Sequence, residues 1–278
     1  MDISKENQPD NMAEKDILSL LQWYIDSGVD ETIDDMPQDW YERFQERKLP
    51  HDSPPSSPRK QSGGAAKKIT PMVSIEQITQ EAIDLAATCN NLTELNEVIK
   101  DFNGCSLKKT ATNTVFSDGN PDSDIMLIGD VPGVDEDRFG KVLVGENGQM
   151  LDRMFKAIGL TREADLYLTN IVPWRPPGNR KPSPEEITVC LPFIRRHIEL
   201  FKPKLLIFLG GISANNLLDS ELGIARLRGK WFDYDIYGQN IPVRPLFHPA
   251  YLLKQPKAKA DTWRDLLEIK AKLKEQSV

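Results

Sequence analysis

The sequence predicts an α/β protein with three layers, α/β/α, in which a mainly parallel central sheet lies between helices, plus an N-terminal helical extension. Two observations carry this prediction. Short apolar runs alternate with amphipathic stretches from residue 124 onward, and several of these runs end at a glycine or a polar residue. Alternation of strands and helices favours a parallel sheet covered on both faces.

The first 70 residues predict an extension and a linker. Apolar residues at helical spacing predict a short amphipathic helix over 14–27. Residues 50–70 are rich in Pro, Ser, Gly and Lys, a composition that does not bury a core. We therefore predict an acidic helical extension at 1–49, a flexible linker at 50–70 and a folded domain at 71–278.

The elements of the folded domain follow in order along the chain. Residues 74–100 carry apolar side chains at helical spacing, and Pro184 stands at a favoured first-turn position of a later helix. The predicted strands are Asp124–Gly129, Leu166–Ile171, Lys204–Leu209, Lys230–Ile236 and Ile241–Phe247, and the predicted helices are Gly148–Ile158, Pro184–Leu200, Ile212–Leu218 and Ala258–Lys274.

Composition restricts the class of protein. The net charge is −7, but the acidic excess is concentrated in residues 1–50, and the rest of the chain is nearly balanced. No apolar run is long enough to span a membrane, and the polar, acidic N-terminus does not resemble a secretory signal. The three cysteines are too few for a disulfide framework, so a reducing, cytoplasmic location is expected.

Four segments place a polar side chain or a tight turn directly after a predicted strand. Ligands bind at the carboxyl ends of strands in open α/β sheets, so we expect Asp130, Asn170 and His248 to meet at one edge. A carboxylate, an amide and an imidazole can orient water, read a small heterocycle and stabilise an anion. The segments are GDVPG at 129–133, GKVLVG at 140–145, NIVPWRPPGNR at 170–180 and HPAYLL at 248–253.

In order and approximate spacing, these segments resemble the motifs of the uracil-DNA glycosylases known as family 4, an iron–sulfur branch. That family's patterns read roughly G-E-A-P-G, G-x-P-F-V-G, N-x-V-K-C-R-P-P-x-N-R and H-P-S/A-Y-L-L. The resemblance runs from Phe102 to the last predicted helix. It implies that residues 71–278 form a uracil-DNA glycosylase-like domain.

The resemblance also implies roles for single residues. His248 acts on uracil O2, and Asn170 reads N3–H and O4 of the base, whereas Asp130 replaces the family's glutamate and orients water. Gly129 and Gly133 let the backbone turn close to the nucleotide. Leu143 stands where the family stacks a phenylalanine on uracil, so we expect weaker retention of the base; Leu143 is alternatively a core residue.

DNA contacts are expected from two of the segments. Leu252 and Leu253 stand where the family inserts a wedge into the duplex, which helps a base to flip out; the alternative is a leucine pair in the core. Lys254 follows in a place suited to a phosphate contact. Arg175 and Arg180 are the basic residues expected to bind DNA from the third segment.

The iron–sulfur cluster of the family is expected to be absent. The four positions that carry its cysteines read Phe102, Cys105, Trp174 and Cys190, and two thiolates do not complete the usual set of four. We therefore expect no metal and no cofactor, with the two aromatic side chains filling the space around the two cysteines. A different metal held by Cys105 and Cys190 is the alternative.

The function expected from the resemblance is DNA repair by monofunctional hydrolysis of the N-glycosidic bond of uracil, which leaves an abasic site. The partner is uracil-containing DNA, single- or double-stranded, and the N-terminal extension is a possible site for a protein partner. Two alternatives stay open. One is excision of another deaminated base such as hypoxanthine, and the other is a catalytically weak DNA-binding protein on the same fold.

Overall fold

The structure, a computed structural model, describes residues 74–236 and 238–276. The predicted helix over 14–27 and the linker at 50–70 lie outside the described residues. No helix among the described residues combines the length and the apolar character needed to cross a membrane.

A six-stranded sheet forms the centre of the described region, in the order β1-β3-β2-β4-β6-β5. The inner strands β3, β2, β4 and β6 run parallel, and the edge strands β1 and β5 are each antiparallel to their neighbours. The strands are β1 (Ser117–Gly119), β2 (Ile125–Gly129), β3 (Leu166–Asn170), β4 (Leu205–Leu209), β5 (Phe232–Ile236) and β6 (Gln239–Leu246).

Helices connect the strands and cover the sheet. Short 3-10 turns lie at Ser106–Lys109, Pro177–Asn179 and Pro256–Ala258. The helices are α1 (Ile75–Thr88), α2 (Leu92–Asp101), α3 (Val134–Phe139), α4 (Gly145–Lys156), α5 (Arg162–Asp165), α6 (Pro184–Phe201), α7 (Gly211–Leu217), α8 (Ile224–Leu227), α9 (Pro249–Lys254) and α10 (Lys259–Gln276).

The buried strands divide their side chains between two apolar layers. In β2, Met126 and Ile128 pack with α1, α2 and α6, whereas Ile125 and Leu127 pack with α4 and α10. Successive strand residues point to opposite faces, so an unbroken apolar run is what a strand covered on both sides requires. The predicted three-layer α/β/α fold with a mainly parallel sheet is confirmed.

Local details differ from the sequence prediction. The stretch at 74–100 is two helices, since α1 ends at Thr88 and Asn91 caps α2 by accepting the backbone N–H of Glu94 at 2.9 Å. Strand β5 begins at Phe232 rather than at Lys230, and β6 begins at Gln239. The edge strand β1 was not predicted because its residues, SDG, carry no apolar pattern.

Candidate active site

The carboxyl ends of the four parallel strands bring the predicted site together. Gly129, the last residue of β2, is level with Asn170 at the end of β3 and with Leu209 at the end of β4. Leu209 is in turn level with Leu246 at the end of β6. Asp130 follows β2 and His248 follows β6, so the predicted carboxylate, amide and imidazole lie along one edge of the sheet.

Asp130 is held by the segment that follows β4. Its Oδ1 accepts the backbone N–H of Ser213 at 2.7 Å. Burial raises the pKa of the Asp130 carboxyl above its ordinary value, while the neighbouring His248 and the hydrogen bonds from Ser213 and Ile212 act in the opposite direction. The carboxyl is therefore easier to protonate than an exposed aspartate, although its neighbours favour the anion.

His248 caps helix α9 with its own ring. Nδ1 accepts the backbone N–H of Ala250 at 3.2 Å, which places the proton of a neutral imidazole on Nε2. Burial lowers the pKa of His248, and the proximity of Asp130 opposes that shift. The ring is thus a neutral N–H donor, and the start of α9 fixes its orientation.

Asn170 is buried next to Gly129. A Cβ atom placed on Gly129 would collide with Oδ1 of Asn170, so glycine at this position leaves the space that the amide occupies. The Asn170 side chain makes no hydrogen bond within residues 74–236 and 238–276. An amide offers an acceptor and two donors, so this group is available to pair with the polar edge of a base.

Leu143 adopts an unusual backbone conformation. Its φ is +47°, a left-handed value that is uncommon for a bulky residue. Arg162 donates from Nη2 to the carbonyl of Leu143 at 2.8 Å and from Nη1 to the carbonyl of Val142 at 2.9 Å. The Leu143 side chain is buried and packs in the layer that contains α4 and α9. The structure thus places Leu143 in the core, which was the alternative left open by the sequence.

Gly133 begins helix α3. Its N–H donates to Oε2 of Glu136 at 3.0 Å, and a Cβ atom on Gly133 would lie 2.6 Å from that oxygen. Burial raises the pKa of Glu136. The turn that was expected to approach the nucleotide is therefore closed by a buried carboxyl from the same helix.

The basic residues expected to bind DNA differ in their surroundings. Arg175 donates to Oδ1 of Asn179 at 2.8 Å and lies 3.9 Å from Asp137. Arg180 donates to both carboxyl oxygens of Glu186, at 2.9 and 2.7 Å, and these bonds lower the pKa of Glu186 to about 2. Lys254 is exposed at the end of α9. Arg180 is exposed as well, whereas Arg175 is half-buried.

The leucine pair on α9 is split between two environments. Leu252 is 0% exposed and packs in the core, whereas Leu253 is 36% exposed. The expectation that Leu252 enters DNA is therefore corrected, because its side chain is buried in the core layer that contains α4. Tyr251, which the sequence did not single out, is 46% exposed beside Leu253, so these two residues form the free face of the helix.

The four positions of the family's cluster cysteines lie in one apolar layer. Phe102, Cys105, Trp174 and Cys190 are all buried there, and the neighbouring Cys190 lowers the pKa of the Cys105 thiol. The Trp174 ring N–H donates to the hydroxyl of Thr114 at 3.0 Å. The four positions therefore share one buried apolar layer of the domain.

A carboxylate, an amide and a neutral imidazole along one edge of a parallel sheet can together orient water, pair with a polar heterocycle and donate to a developing anion. A comparison with protein-family models identifies the family: residues 116–267 match the uracil DNA glycosylase superfamily. That match covers more than half of the chain. The protein belongs to the uracil DNA glycosylase superfamily, which confirms the resemblance seen in the motifs and makes DNA its substrate.

Several of the relatives found among known proteins are type-4 uracil-DNA glycosylases. The protein of Archaeoglobus fulgidus is 36% identical over 182 residues, which are 63% of this chain and 91% of the relative. The protein of Saccharolobus solfataricus is 36% identical over 194 residues, 68% of this chain and 89% of the relative. That of Thermotoga maritima is 36% identical over 161 residues, 58% and 82% of the two chains.

These relatives contradict the prediction that the protein has no cofactor. They are type-4 enzymes, the branch whose pattern includes a [4Fe–4S] cluster, so the family assignment implies that group and the prediction of its absence is wrong. The side chains present do not match the usual ligand set. Within residues 74–236 and 238–276, no three His, Cys, Asp or Glu side chains converge as metal ligands.

Three residues of the site region were missed by the sequence prediction. Gly210 and Ser213 contact Asp130, and Arg162 holds the carbonyls of Val142 and Leu143. The glycine pair after β4 was a visible signal, since it ends an apolar strand in the same way as Gly129. Ser213 lies 83 positions from Asp130, and Arg162 lies 20 and 19 positions from Val142 and Leu143, so nothing in the local pattern indicates these contacts.

Proposed function

We propose that Asp130, Asn170 and His248 carry out the hydrolysis of the bond between uracil and deoxyribose in DNA. The observation that carries the proposal is the meeting of these three side chains at the carboxyl edge of a sheet in a chain of the uracil DNA glycosylase superfamily. The names of the relatives support uracil as the base.

Asn170 selects the base. Its Oδ1 accepts from uracil N3–H while its amide donates to O4, and cytosine presents the opposite pattern at these positions. The close approach of Gly129 to Oδ1 restrains the amide, so that the acceptor and donor meet the base in a fixed order. A site that pairs with both groups rejects a base whose polar edge leaves them unpaired.

His248 stabilises the leaving base. As the bond between N1 and the sugar carbon breaks, its electron pair moves onto uracil, and negative charge develops on O2. The Nε2–H of the neutral ring donates to that oxygen, because Nδ1 is already occupied by the Ala250 N–H. A fixed donor aimed at developing charge is a large contribution to catalysis.

Asp130 acts on water. Its carboxylate orients a water molecule toward the sugar carbon, accepts a proton from that water as the new carbon–oxygen bond forms, and balances the positive charge that the sugar develops. The products are free uracil and an abasic site. No lysine attack on the sugar is needed, so the reaction is monofunctional.

The free face of α9 supports action on duplex DNA. Leu253 and Tyr251 project from the helix that begins at His248, with Lys254 at its end. An apolar side chain at this place can fill the gap left by a flipped base, and a lysine can contact phosphate. We include both single- and double-stranded DNA as substrates, since the base-reading residues do not depend on a second strand.

We also propose the division of the chain into an extension at 1–49, a linker at 50–70 and a glycosylase domain at 71–278. The family match at 116–267 lies inside the third part, which supports this division. The acidic composition of residues 1–49 suits a protein partner with a basic surface, and a cytoplasmic location fits the use of cysteine.

Release of free uracil from an oligonucleotide that carries one uracil tests the function. We expect release by the unaltered protein, a loss of about 100-fold or more for Asp130→Asn, and a similar loss for His248→Ala. Asp122→Asn is a matched control, because Asp122 is exposed in the turn before β2, at the opposite end of the strand.

The same assay separates the alternative functions. Oligonucleotides with hypoxanthine in place of uracil report a different base specificity. If the unaltered protein binds the uracil oligonucleotide but releases no base, the proposal fails and a DNA-binding role replaces it. Full activity in both Asp130→Asn and His248→Ala points to a different catalytic set.

A further inference from the structure

The carboxylate of Asp130 rests on the backbone that leaves β4. A Cβ atom on Gly210 would collide with the Asp130 carboxylate, whose Oδ2 is its nearest neighbour and whose Oδ1 would be 2.8 Å away. Oδ1 also accepts the Ser213 N–H at 2.7 Å. The carboxylate is therefore enclosed between the Cα of Gly210 and the first turn of α7.

Two separate constraints require glycine at position 210. Its backbone has φ +114° and ψ 176°, a combination that is essentially restricted to glycine. The space where a side chain would begin is occupied by the Asp130 carboxylate. Gly211, the next residue, has neither constraint, because its φ is ordinary and the nearest atom to an added Cβ is 3.9 Å away.

Ser213 adds a polar contact at the same place. The residue is completely buried, and its hydroxyl lies 3.5 Å from the carbonyl of Gly210. Besides its backbone N–H, the Ser213 hydroxyl favours the ionised form of Asp130, as does the backbone of Ile212. His248 is the titratable group that acts on Asp130 from the end of β6.

We propose that Gly210 and Ser213 are positioning residues for the reaction, which fix the carboxylate of Asp130 against the end of β4 and so set where it holds water. This inference rests on the proposed function. An aspartate reaches one methylene less far than the glutamate in the family pattern, so its carboxylate lies nearer to the sheet. The bare Cα of Gly210 and the N–H of Ser213 supply a fixed place for it there.

Gly210→Ala tests the steric part. The added methyl displaces the Asp130 carboxylate, and we expect kcat to fall about 100-fold with little change in KM, since small displacements of a catalytic group have effects of this size. Gly211→Ala is the control and keeps the unaltered rate. Thermal unfolding of both variants shows whether they fold.

A double-mutant cycle separates a positioning role from a general structural one. In the background of Asp130→Ala, Gly210→Ala has no carboxylate to displace, so we expect the residual rate to change less than about threefold. An equal loss in both backgrounds contradicts the proposal, as does a Gly210→Ala variant that is as active as Gly211→Ala.

Ser213→Ala tests the contribution of the hydroxyl alone, because the backbone N–H that donates to Asp130 is still present, and it applies even if Gly210→Ala fails to fold. Loss of the hydroxyl removes a group that favours the anion, so the acid limb of the profile of kcat/KM against pH moves to higher pH, and Ser213→Thr restores it. An unchanged acid limb in Ser213→Ala overturns this part of the proposal.

An NMR titration distinguishes failure of this inference from failure of the proposed function. The carboxyl carbon signal of Asp130, assigned by its loss in Asp130→Asn, reports the pKa without any catalysis. We expect its midpoint at higher pH in Ser213→Ala than in the unaltered protein. If uracil is not released but the midpoint moves, the proposed function fails and the influence of Ser213 on Asp130 stands. If uracil is released and neither the limb nor the midpoint moves, the role of the Ser213 hydroxyl fails alone.

Discussion

Asp130 and His248 shift each other's protonation because they are buried side by side. Burial raises the pKa of Asp130 and lowers the pKa of His248, and in each case the other residue opposes the effect of burial. The neutral form of the ring is thus favoured by burial, while His248 and the hydrogen bonds from Ser213 and Ile212 favour the ionised form of Asp130. These are the states that the proposed chemistry needs, a base for water and an N–H donor for the leaving oxygen.

The pH dependence of the reaction follows from this pair. Catalysis needs ionised Asp130, so kcat/KM should fall as the pH drops through its raised pKa. His248 normally lowers that pKa, so in His248→Asn the acid limb of the residual activity should move to higher pH. The limb should be missing in Asp130→Asn. If the acid limb of kcat/KM lies at the same pH in His248→Asn and in the unaltered protein, His248 does not lower the pKa of Asp130 and this prediction is wrong.

Some residues of the site could be predicted and others could not, for physical reasons. Asp130, Asn170 and His248 each follow an apolar strand, so the parallel pattern alone indicates that they meet. Gly210 ends an apolar strand and was visible in the same way as Gly129, but its contact and that of Ser213 with Asp130 join distant parts of the chain, which no local pattern encodes. The presence of Leu143 where the family pattern has phenylalanine was visible in the sequence. The left-handed backbone of Leu143 was not, because it is accompanied by hydrogen bonds from the distant Arg162.

At the scale of elements, α9 joins the core to the exposed surface next to the site. His248 caps the helix, and Leu252 is buried in the layer with α4, while Leu253 faces solvent. Neighbouring residues on a helix point in different directions, so two adjacent leucines rarely share one environment. The motif HPAYLL does not reveal the phase of this helix, and only the packing against α4 decides it.

The two leucines of α9 should respond differently to truncation. Leu253→Ala should reduce uracil release from duplex DNA more than from single-stranded DNA, because the wedge matters only where a base leaves a stack, and its unfolding temperature should be unchanged. Leu252→Ala should lower the free energy of unfolding by about 2–5 kcal/mol, as for other buried leucines.

Release assays on both substrates and thermal melts of both variants check this. Equal losses on single- and double-stranded DNA for Leu253→Ala contradict the wedge. A stable Leu252→Ala variant contradicts the core assignment.

Strand prediction succeeded where burial is complete on both faces. Strands β2, β3 and β4 were predicted to within one residue at each end, because fully buried strands are unbroken apolar runs. The edge strand β1 has the sequence SDG and pairs with β3 through its backbone. Because it has no apolar residues, the hydrophobic pattern of the sequence does not indicate it. The break between α1 and α2 comes from the Asn91 cap, a local signal that the apolar spacing of 74–100 concealed.

At the scale of the molecule, a buried ion network ties the last helix to the sheet. Asp265 of α10 accepts from Arg244 of β6 at 2.7 Å and from Arg228 at 2.8 Å, and the side chains of Arg244 and Asp265 are both buried. Arg244 also lies over the ring of Trp231, 5.1 Å from its centroid. A buried arginine needs its partner, since an unpaired charge in the interior is costly.

Removal of one partner should therefore destabilise the whole domain. Asp265→Ala leaves Arg244 without its buried carboxylate, and we expect the free energy of unfolding to fall by about 3–5 kcal/mol. Glu268→Ala is the matched control, because Glu268 pairs with the same arginine at 2.9 Å but is exposed, and we expect a loss below about 1 kcal/mol. Urea unfolding measures both. Equal losses in the two variants contradict the dependence on burial.

His197 makes the stability of the domain sensitive to acid. The ring is buried, is 2.8 Å from the hydroxyl of Tyr167 and stacks on Phe116 with 4.5 Å between centroids. Burial lowers the pKa of His197 from 6.5 to about 3. Below pH 6.5 the unfolded chain therefore takes up a proton that the folded protein does not accept until about pH 3, and stability must fall as the pH falls through that window.

A variant without this ring should lose less stability in acid. For the unaltered protein, His197 contributes a slope of up to about 1.4 kcal/mol per pH unit between pH 6.5 and 3, and in His197→Gln that contribution is absent. The difference in unfolding free energy between the two proteins should be constant above pH 7 and should change in favour of the variant as the pH falls. Glu186, whose pKa is lowered to about 2 by Arg180, costs stability in both proteins below pH 4.5 and cancels in the difference. Unfolding curves that stay parallel from pH 7 to pH 4 would show that the folded protein protonates His197 as readily as the unfolded chain, against the burial seen here.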